Sequence, residues 1–206
     1  MQTLGKQFTA DALSRPEHWR VCLNRRRKPH VRLRPHVPRN MARLPKAYAE
    51  AVRACCRGEK PWPLLLLGSI GSGKTCAALL TADWTVGPTV MHTEDSLQTT
   101  IGKAMDGLLL DERPGASFDL RLSVEDVWER WYKAELCVID DLGQRRKTAG
   151  ATDYIFRAID SREHKPLIVT SNLTWDEIRR SDERLESRLE QTIVEAFDLP
   201  DQRCMR

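Results

Sequence analysis

One short stretch of the chain has the residue types and spacing needed to hold a phosphate group. It fits the pattern G-x-x-x-x-G-K-[ST] at every fixed position and consists of Gly68, Ser69, Ile70, Gly71, Ser72, Gly73, Lys74 and Thr75. Glycines permit backbone dihedrals that let successive amide N–H groups converge on one anion. Lys74 is placed to reach the outer phosphates, and the Thr75 hydroxyl to ligate Mg²⁺. We therefore expect this loop to bind ATP with Mg²⁺.

A second stretch, residues 136–143, is an apolar run that ends in the two carboxylates Asp140 and Asp141. We expect it to form a strand beside the strand that precedes the phosphate loop. Asp140 would then lie near the metal, and Asp141 would orient or deprotonate the attacking water. The alternative is a turn after a strand, in which Asp and Gly serve only the backbone.

Three further polar residues are candidates for the same site. Asn172 ends an apolar run and could hold the attacking water or the γ-phosphate; it could also simply cap the helix that starts near Thr174. Arg184 and Arg188 lie four residues apart, on one face of a predicted helix. They form either a solvated ion-pair surface or an arginine finger inserted into a neighbouring subunit's site.

Strand and helix patterns alternate along the chain from Pro45 onward. Strands are predicted at 64–67, 89–93, 136–140, 167–170 and 192–197. Helices are predicted at 46–57, 74–85, 96–109, 153–162, 175–180 and 184–189, with another that begins at an N-cap on Ser123. The pattern favours an α/β P-loop fold: a three-layer sandwich with a central, mostly parallel five-stranded sheet. Only nine residues follow Phe197, so we expect little or no helical lid.

Residues 1–44 differ in composition from residues 45–206, so we expect a basic N-terminal extension followed by one P-loop domain. Residues 20–43 hold nine basic side chains and no acid, and three prolines disfavour a helix there. Such a segment would attract phosphates, and Trp19 could stack on a base. We expect contact with single-stranded DNA through Arg25, Arg26, Arg27, Lys28, Arg32 and Arg34. The alternatives are a segment that docks a partner protein and a solubilising tail.

The overall composition indicates the class of protein and its cellular location. Hydrophobic residues make up 41 % and charged residues 30 % of 206, which is ordinary for a globular domain. The longest aliphatic run, Leu64 to Leu67, is far too short to span a bilayer, so we expect no membrane partner and a cytoplasmic location. The six cysteines form no C-x-x-C pair and are interpreted as reduced thiols. A zinc site at Cys22, His30 and His36 is a weaker alternative, since a fourth ligand is not evident.

Taken together, the strings at 68–75, 138–143, 169–173 and 184–189 resemble the DnaC/IstB branch of the AAA+ ATPases. The resemblance covers roughly residues 46–197, and Asp-Asp-Leu-Gly and Thr-Ser-Asn-Leu are its most specific parts. It implies that Lys74 and Thr75 hold the Walker A positions and Asp140 and Asp141 the Walker B positions. It also implies that Asn172 is sensor 1, and that Arg184 and Arg188 lie in the box carrying the trans-acting arginine, with Arg188 preferred.

The resemblance also implies a function. Members of this branch assemble on nucleotide into homo-oligomeric rings or spirals, bind DNA and recruit or remodel a partner protein. The expected protein is an Mg-ATP-hydrolysing, DNA-associated ATPase that acts as a loader of a replicative helicase. A transposition helper of the IstB kind, with a transposase as partner, is the alternative. A small-metabolite kinase and a non-hydrolysing, nucleotide-gated binding module are weaker alternatives.

Overall fold

Strands and helices alternate regularly in the computed structural model, which describes residues 45–85, 87–111, 120–143 and 149–197. The strands are β1 Leu64–Gly68, β2 Thr89–Thr93, β3 Leu136–Leu142, β4 Leu167–Ser171 and β5 Ile193–Phe197. The helices are α1 Lys46–Cys56, α2 Lys74–Trp84, α3 Glu94–Met105, α4 Val124–Lys133, α5 Ala149–Asp160, α6 Trp175–Ser181 and α7 Glu183–Leu189. A short 3₁₀ turn, Glu190–Thr192, joins α7 to β5.

The five strands form one sheet in the order β2-β3-β4-β1-β5, and each of the four strand pairings is parallel. The predicted five-stranded α/β fold is therefore confirmed. The prediction that β3 lies beside β1 is wrong, because β4 lies between them. Both runs are apolar and buried on both faces, so their composition carries no information about which strand is the neighbour of which.

The core lies on both faces of the sheet, as a three-layer sandwich requires. Along β1, Leu64 and Leu66 pack on the face covered by α1 and α2, whereas Leu65 packs on the face covered by α3 to α7. This alternation follows from the two-residue period of a strand. All three leucines have 2 % or less of their surface exposed. The burial holds the carboxyl end of β1 rigidly where the phosphate loop begins.

Side-chain caps fix where the helices start. Ser123 caps α4 as predicted, its hydroxyl accepting from the Asp126 N–H at 3.2 Å. The prediction for α3 is wrong at both ends, since the helix runs from Glu94 to Met105 instead of 96–109. It starts earlier because Thr93 and Ser96 form a reciprocal capping box, in which the Thr93 hydroxyl accepts from the Ser96 N–H at 3.0 Å.

Two further elements differ from the prediction by two or more residues at one or both ends. Strand β3 continues through both carboxylates to Leu142, two residues past its predicted end. Helix α5 spans Ala149–Asp160, whereas 153–162 was predicted. The extension of β3 means that Asp141, like Asp140, belongs to the sheet and not to a loop that follows it.

A buried arginine ties together the ends of β3 and β4 that lie away from the phosphate loop. Arg162 has 1 % of its surface exposed. It donates to the carbonyl of Ala134 at 2.9 Å, two residues before β3, and to the carbonyl of Pro166 at 2.8 Å, one residue before β4. Hydrogen bonds from a charged donor are among the stronger ones in proteins. They help to fix the alignment of the two strands that carry the candidate site residues.

Several predictions concern residues outside the described ranges. They are the basic extension of residues 1–44 with its DNA-contacting arginines, the zinc site and the stacking role of Trp19. The absent or small lid would follow Phe197 and also lies beyond the described part. Within that part, Cys55, Cys56, Cys76 and Cys137 are free thiols. None of the described helices combines the length and the apolar character that crossing a bilayer would need.

Candidate functional site

The phosphate loop connects the carboxyl end of β1 to the first residue of α2. Gly71 and Gly73 have φ angles of 82° and 98°, which residues other than glycine rarely adopt. Gly73 is the N-cap of α2, and no side chain caps the helix there. The positive end of the helix dipole and its first N–H groups are therefore presented to the crevice at the edge of the sheet. This arrangement favours an anion.

Gly68 brings the start of this loop close to the last strand. A Cβ at this position would lie 2.3 Å from the carbonyl oxygen of Phe197, the final residue of β5. Such a contact is far shorter than atoms tolerate, so only glycine fits. The first glycine of the motif is thus required by packing of β1 against β5 as well as by the shape of the loop.

Lys74 is directed back across the loop that precedes it. Only 4 % of the surface of Lys74 is exposed. Its ammonium donates to the carbonyls of Gly68 and Ser69, both at 2.8 Å, and to Asn172 Oδ1 at 2.9 Å. Burial lowers the pKa of Lys74, and the nearby carboxylates Asp141 and Asp140 oppose that shift. An anion placed beside the ammonium would favour its charged form further.

The two residues predicted to bind Mg²⁺ lie in contact. The Thr75 hydroxyl donates to Asp140 Oδ1 at 2.8 Å, although the two residues come from α2 and β3. Hydroxyl and carboxylate oxygens suit Mg²⁺, which keeps several waters and also takes substrate phosphates as ligands. Among the described residues, no group of three or more His, Cys, Asp or Glu could hold a metal by itself. A metal at Thr75 and Asp140 would accordingly depend on the bound phosphates.

Asp141 lies next to this pair in an unusual backbone conformation. Its φ angle is 59°, in the left-handed region that Asp and Asn enter more readily than most residues. Its Oδ1 accepts from Asn172 Nδ2 at 3.4 Å. Asn172 therefore bridges Asp141 and Lys74 with the two ends of its amide. The structure thus gathers the phosphate loop, both carboxylates and Asn172 at one edge of the sheet.

Arg184 and Arg188 lie on α7 and are held by acidic residues of their own subunit. Arg184 is exposed and contacts Asp182 and Asp153, each at 3.0 Å. Arg188 contacts Asp160 of α5 at 2.8 Å. None of these partners belongs to the phosphate loop or to β3. In this chain the two arginines form surface ion pairs, so a role in catalysis requires a second subunit.

Sequence reasoning missed two residues at this edge of the sheet. Thr170 contacts both carboxylate residues, and the available signal was its position, directly after the three apolar residues of β4 and before Ser171. Glu94, 7 % exposed, accepts from the Gly143 N–H at 2.7 Å and so fixes the chain directly after β3. No sequence pattern links Glu94 to Gly143, because the two residues lie 49 positions apart.

Comparison with known proteins gives a sequence relative and several structural neighbours. No family model matches this chain. The uncharacterized protein YqaM of Bacillus subtilis (strain 168) is 34 % identical over 145 residues, which is 66 % of this chain and 42 % of YqaM. The chain therefore spans less than half the length of this relative.

The structural neighbours include proteins of DNA replication. The replication initiator DnaA bound to AMPPCP and single-stranded DNA aligns with a TM-score of 0.58 at 17 % identity, covering 72 % of this chain and 45 % of that one. The DnaC helicase loader aligns with a TM-score of 0.43 at 24 % identity, covering 62 % of this chain and 68 % of that one.

The sheet order, the phosphate loop and the DnaA alignment together define the class: this domain has the P-loop fold of the AAA+ ATPases. The fold predicted from the motifs is confirmed. Membership of the DnaC/IstB branch stays a prediction from the motifs, above all Asp-Asp-Leu-Gly at 140–143 and Thr-Ser-Asn-Leu at 170–173.

Proposed function

We propose that this protein is an ATPase that binds and hydrolyses Mg-ATP, associates with DNA and loads a replicative helicase in the manner of the DnaC/IstB branch. The observation that carries the proposal is the contact between Thr75 and Asp140, at 2.8 Å, beside a buried lysine. A chance glycine-rich turn would not bring a hydroxyl of the loop against a carboxylate 65 residues away.

Each residue of the site has a part in this proposal. The N–H groups at the start of α2 and the Lys74 ammonium would bind the phosphates. Thr75 and Asp140 would hold Mg²⁺, which neutralises charge on the phosphate oxygens. Asp141 would accept the proton of the attacking water, or orient that water. Asn172 would hold the side chains of Asp141 and Lys74 in place through its two hydrogen bonds. ATP and water would give ADP and phosphate.

The proposed DNA contact is supported by charge and by one structural neighbour. Residues 20–43 carry nine positive charges and no negative one, and phosphate contacts of this kind need no sequence specificity. A DnaA structure with a similar fold contains single-stranded DNA. We propose that Arg25, Arg26 and Arg27 bind the DNA backbone. We also propose that the protein is located in the cytoplasm, where both DNA and ATP are present.

The test measures phosphate release from Mg-ATP by the full chain, with and without single-stranded DNA. We expect slow turnover without any acceptor molecule and faster turnover with DNA. Turnover that requires a small-molecule acceptor would indicate a kinase. Tight ATP binding with no turnover, even with DNA, would indicate a nucleotide-gated binding module.

A matched pair of variants separates DNA binding from total charge. Replacing Arg25, Arg26 and Arg27 with alanine should weaken DNA binding and reduce its salt dependence, because fewer counterions are released. The control replaces Lys60, Lys103 and Lys165, three exposed lysines of the ATPase domain, and should leave DNA binding nearly unchanged. Equal losses in the two variants would contradict the proposed role of the N-terminal segment.

A capture experiment would identify the partner protein. Asp141→Asn, loaded with ATP, should retain its client when the full chain is recovered from the native host. Recovery of a replicative helicase would support the role of helicase loader. Recovery of a transposase would instead indicate an IstB-like transposition helper that uses the same ATP site.

We further propose that the protein assembles as a homo-oligomer, with Arg188 acting in the neighbouring subunit's site. Arg188→Ala should lower turnover by roughly 10³-fold, since trans-acting arginines contribute at least that much. Mixing it with Asp141→Asn should restore part of the activity, because a pocket with an intact Asp141 then meets an intact Arg188. Turnover of each variant alone and of the mixture is measured at several protein concentrations.

Arg179→Ala serves as the control, since Arg179 is an exposed arginine of α6 whose ion pairs, with Asp176 and Glu186, are likewise intramolecular. It should keep wild-type turnover. A mixture no more active than its two components would contradict the trans role of Arg188.

A further inference from the structure

Thr170 is a fully buried residue of β4 that contacts both carboxylate residues of the site. Its side chain has no exposed surface. The hydroxyl donates to Asp140 Oδ1 at 2.6 Å and accepts from the Asp141 N–H at 3.0 Å. A single hydroxyl group therefore joins the side chain of one carboxylate residue to the backbone of the other.

The backbone of β3 explains why a hydroxyl is needed at this place. The pairing of β3 with β4 is regular up to Ile139 opposite Val169 and resumes at Leu142 opposite Ser171. Between these pairs, Asp140 and Asp141 of β3 face one residue of β4, Thr170. Two residues against one is the arrangement of a β-bulge, which interrupts the ladder of backbone hydrogen bonds.

The bulge also sets the direction of Asp141. With φ at 59°, its N–H is taken up by the Thr170 side chain instead of a backbone carbonyl. Buried N–H groups need a partner, and here the partner is the same oxygen that orients Asp140. Thr170 thereby fixes the relative position of two groups to which different tasks are assigned.

We propose that Thr170 is a positioning residue, which holds Asp140 in the orientation that binds Mg²⁺ and holds Asp141 in the conformation that activates water. The inference rests on the proposed ATPase function and adds a residue to its site. Thr75 also contacts Asp140, but Thr75 is expected to bind the metal itself. Thr170 acts on the metal through the carboxylate alone.

The test compares Thr170→Val, which has nearly the same shape without the hydroxyl, with Thr170→Ser, which keeps the hydroxyl. Binding of a fluorescent ATP analogue is titrated with Mg²⁺, and turnover is measured at saturating Mg²⁺. We expect Thr170→Val to need about 10- to 100-fold more Mg²⁺ and to turn over more slowly, since groups that orient metal ligands have effects of this size. Binding in EDTA should stay at the wild-type level, and Thr170→Ser should lie close to wild type.

Ser171→Ala provides the matched control. Ser171 is the next residue of β4, equally buried, and its hydroxyl donates to the Leu142 carbonyl at 2.8 Å without contacting either carboxylate. It should lose thermal stability but keep the Mg²⁺ dependence of the wild type. If Thr170→Val does not fold, Thr170→Ala lacks the same hydroxyl with a smaller side chain and takes its place.

The outcomes separate this inference from the function on which it rests. A wild-type Mg²⁺ midpoint in the hydroxyl-free variant, or an equal shift in Ser171→Ala, would overturn the role of Thr170 and leave the ATPase proposal standing. If the wild-type chain binds no Mg-ATP, the proposed function fails, and the role of Thr170 fails with it. A shift confined to the hydroxyl-free variant, with recovery in Thr170→Ser, supports the inference.

Discussion

Replacing Lys74 with alanine is expected to lower the affinity for Mg-ATP at least about 100-fold, which corresponds to about 3 kcal/mol. The ammonium is buried, and its neighbours are oxygens of the phosphate loop and of Asn172. A charged donor in such surroundings interacts with phosphate far more strongly than an exposed lysine would. Titration calorimetry with Mg-ATP measures the change.

Two controls accompany the Lys74 variant. Lys60→Ala removes an exposed lysine just before β1 and should bind Mg-ATP as the wild type does. Thermal melting of Lys74→Ala shows whether the domain still folds once the carbonyls of Gly68 and Ser69 lose their donor. A folded Lys74→Ala protein with wild-type affinity would remove the basis for a phosphate site at this loop.

Replacing Asp141 with asparagine is expected to lower turnover by roughly 10²- to 10⁴-fold while leaving the affinity for Mg-ATP nearly unchanged. The amide cannot accept the proton of the attacking water. Asparagine tolerates the left-handed φ of 59° about as well as aspartate, so the backbone of β3 should keep its course. Single-turnover measurements separate the loss of chemistry from any change in binding.

The neighbouring carboxylate is the comparison for this variant. Asp140→Asn should raise the Mg²⁺ concentration that nucleotide binding requires, because Asp140 contacts Thr75 and is assigned to the metal. If Asp141→Asn loses binding and turnover to the same extent, the division of tasks between the two carboxylates is wrong.

The parts of the site that sequence predicts well are those that depend on local structure. The phosphate loop is defined by eight consecutive residues between a strand and a helix, and the Ser123 cap depends on a residue three positions later. Both can be inferred without knowing the rest of the fold. The same holds for the existence of the five strands, whose apolar runs are distinct.

The parts that sequence does not predict depend on which strands are neighbours. Nothing in the composition of β1, β3 and β4 places β4 in the middle, and the assumption that β3 lies beside β1 followed from that. The contacts of Asn172 with Lys74, 98 residues away, and of Thr170 with Asp140 follow from the observed order. The bulge opposite Thr170 is likewise invisible in the sequence, because it is a mismatch between two strands.

The position of β4 has a consequence for how this domain reaches its native state. The neighbours of β1 are β4 and β5, so its pairing partners begin about a hundred positions further along the chain. During synthesis, the loop and both acidic residues emerge well before the segment that unites them. Pairings of such high sequence separation are formed late and slowly. The arrangement proposed to bind a nucleotide is therefore complete only once β4 has joined the sheet, and a nascent chain that ends before residue 167 would lack both strands that pair with β1.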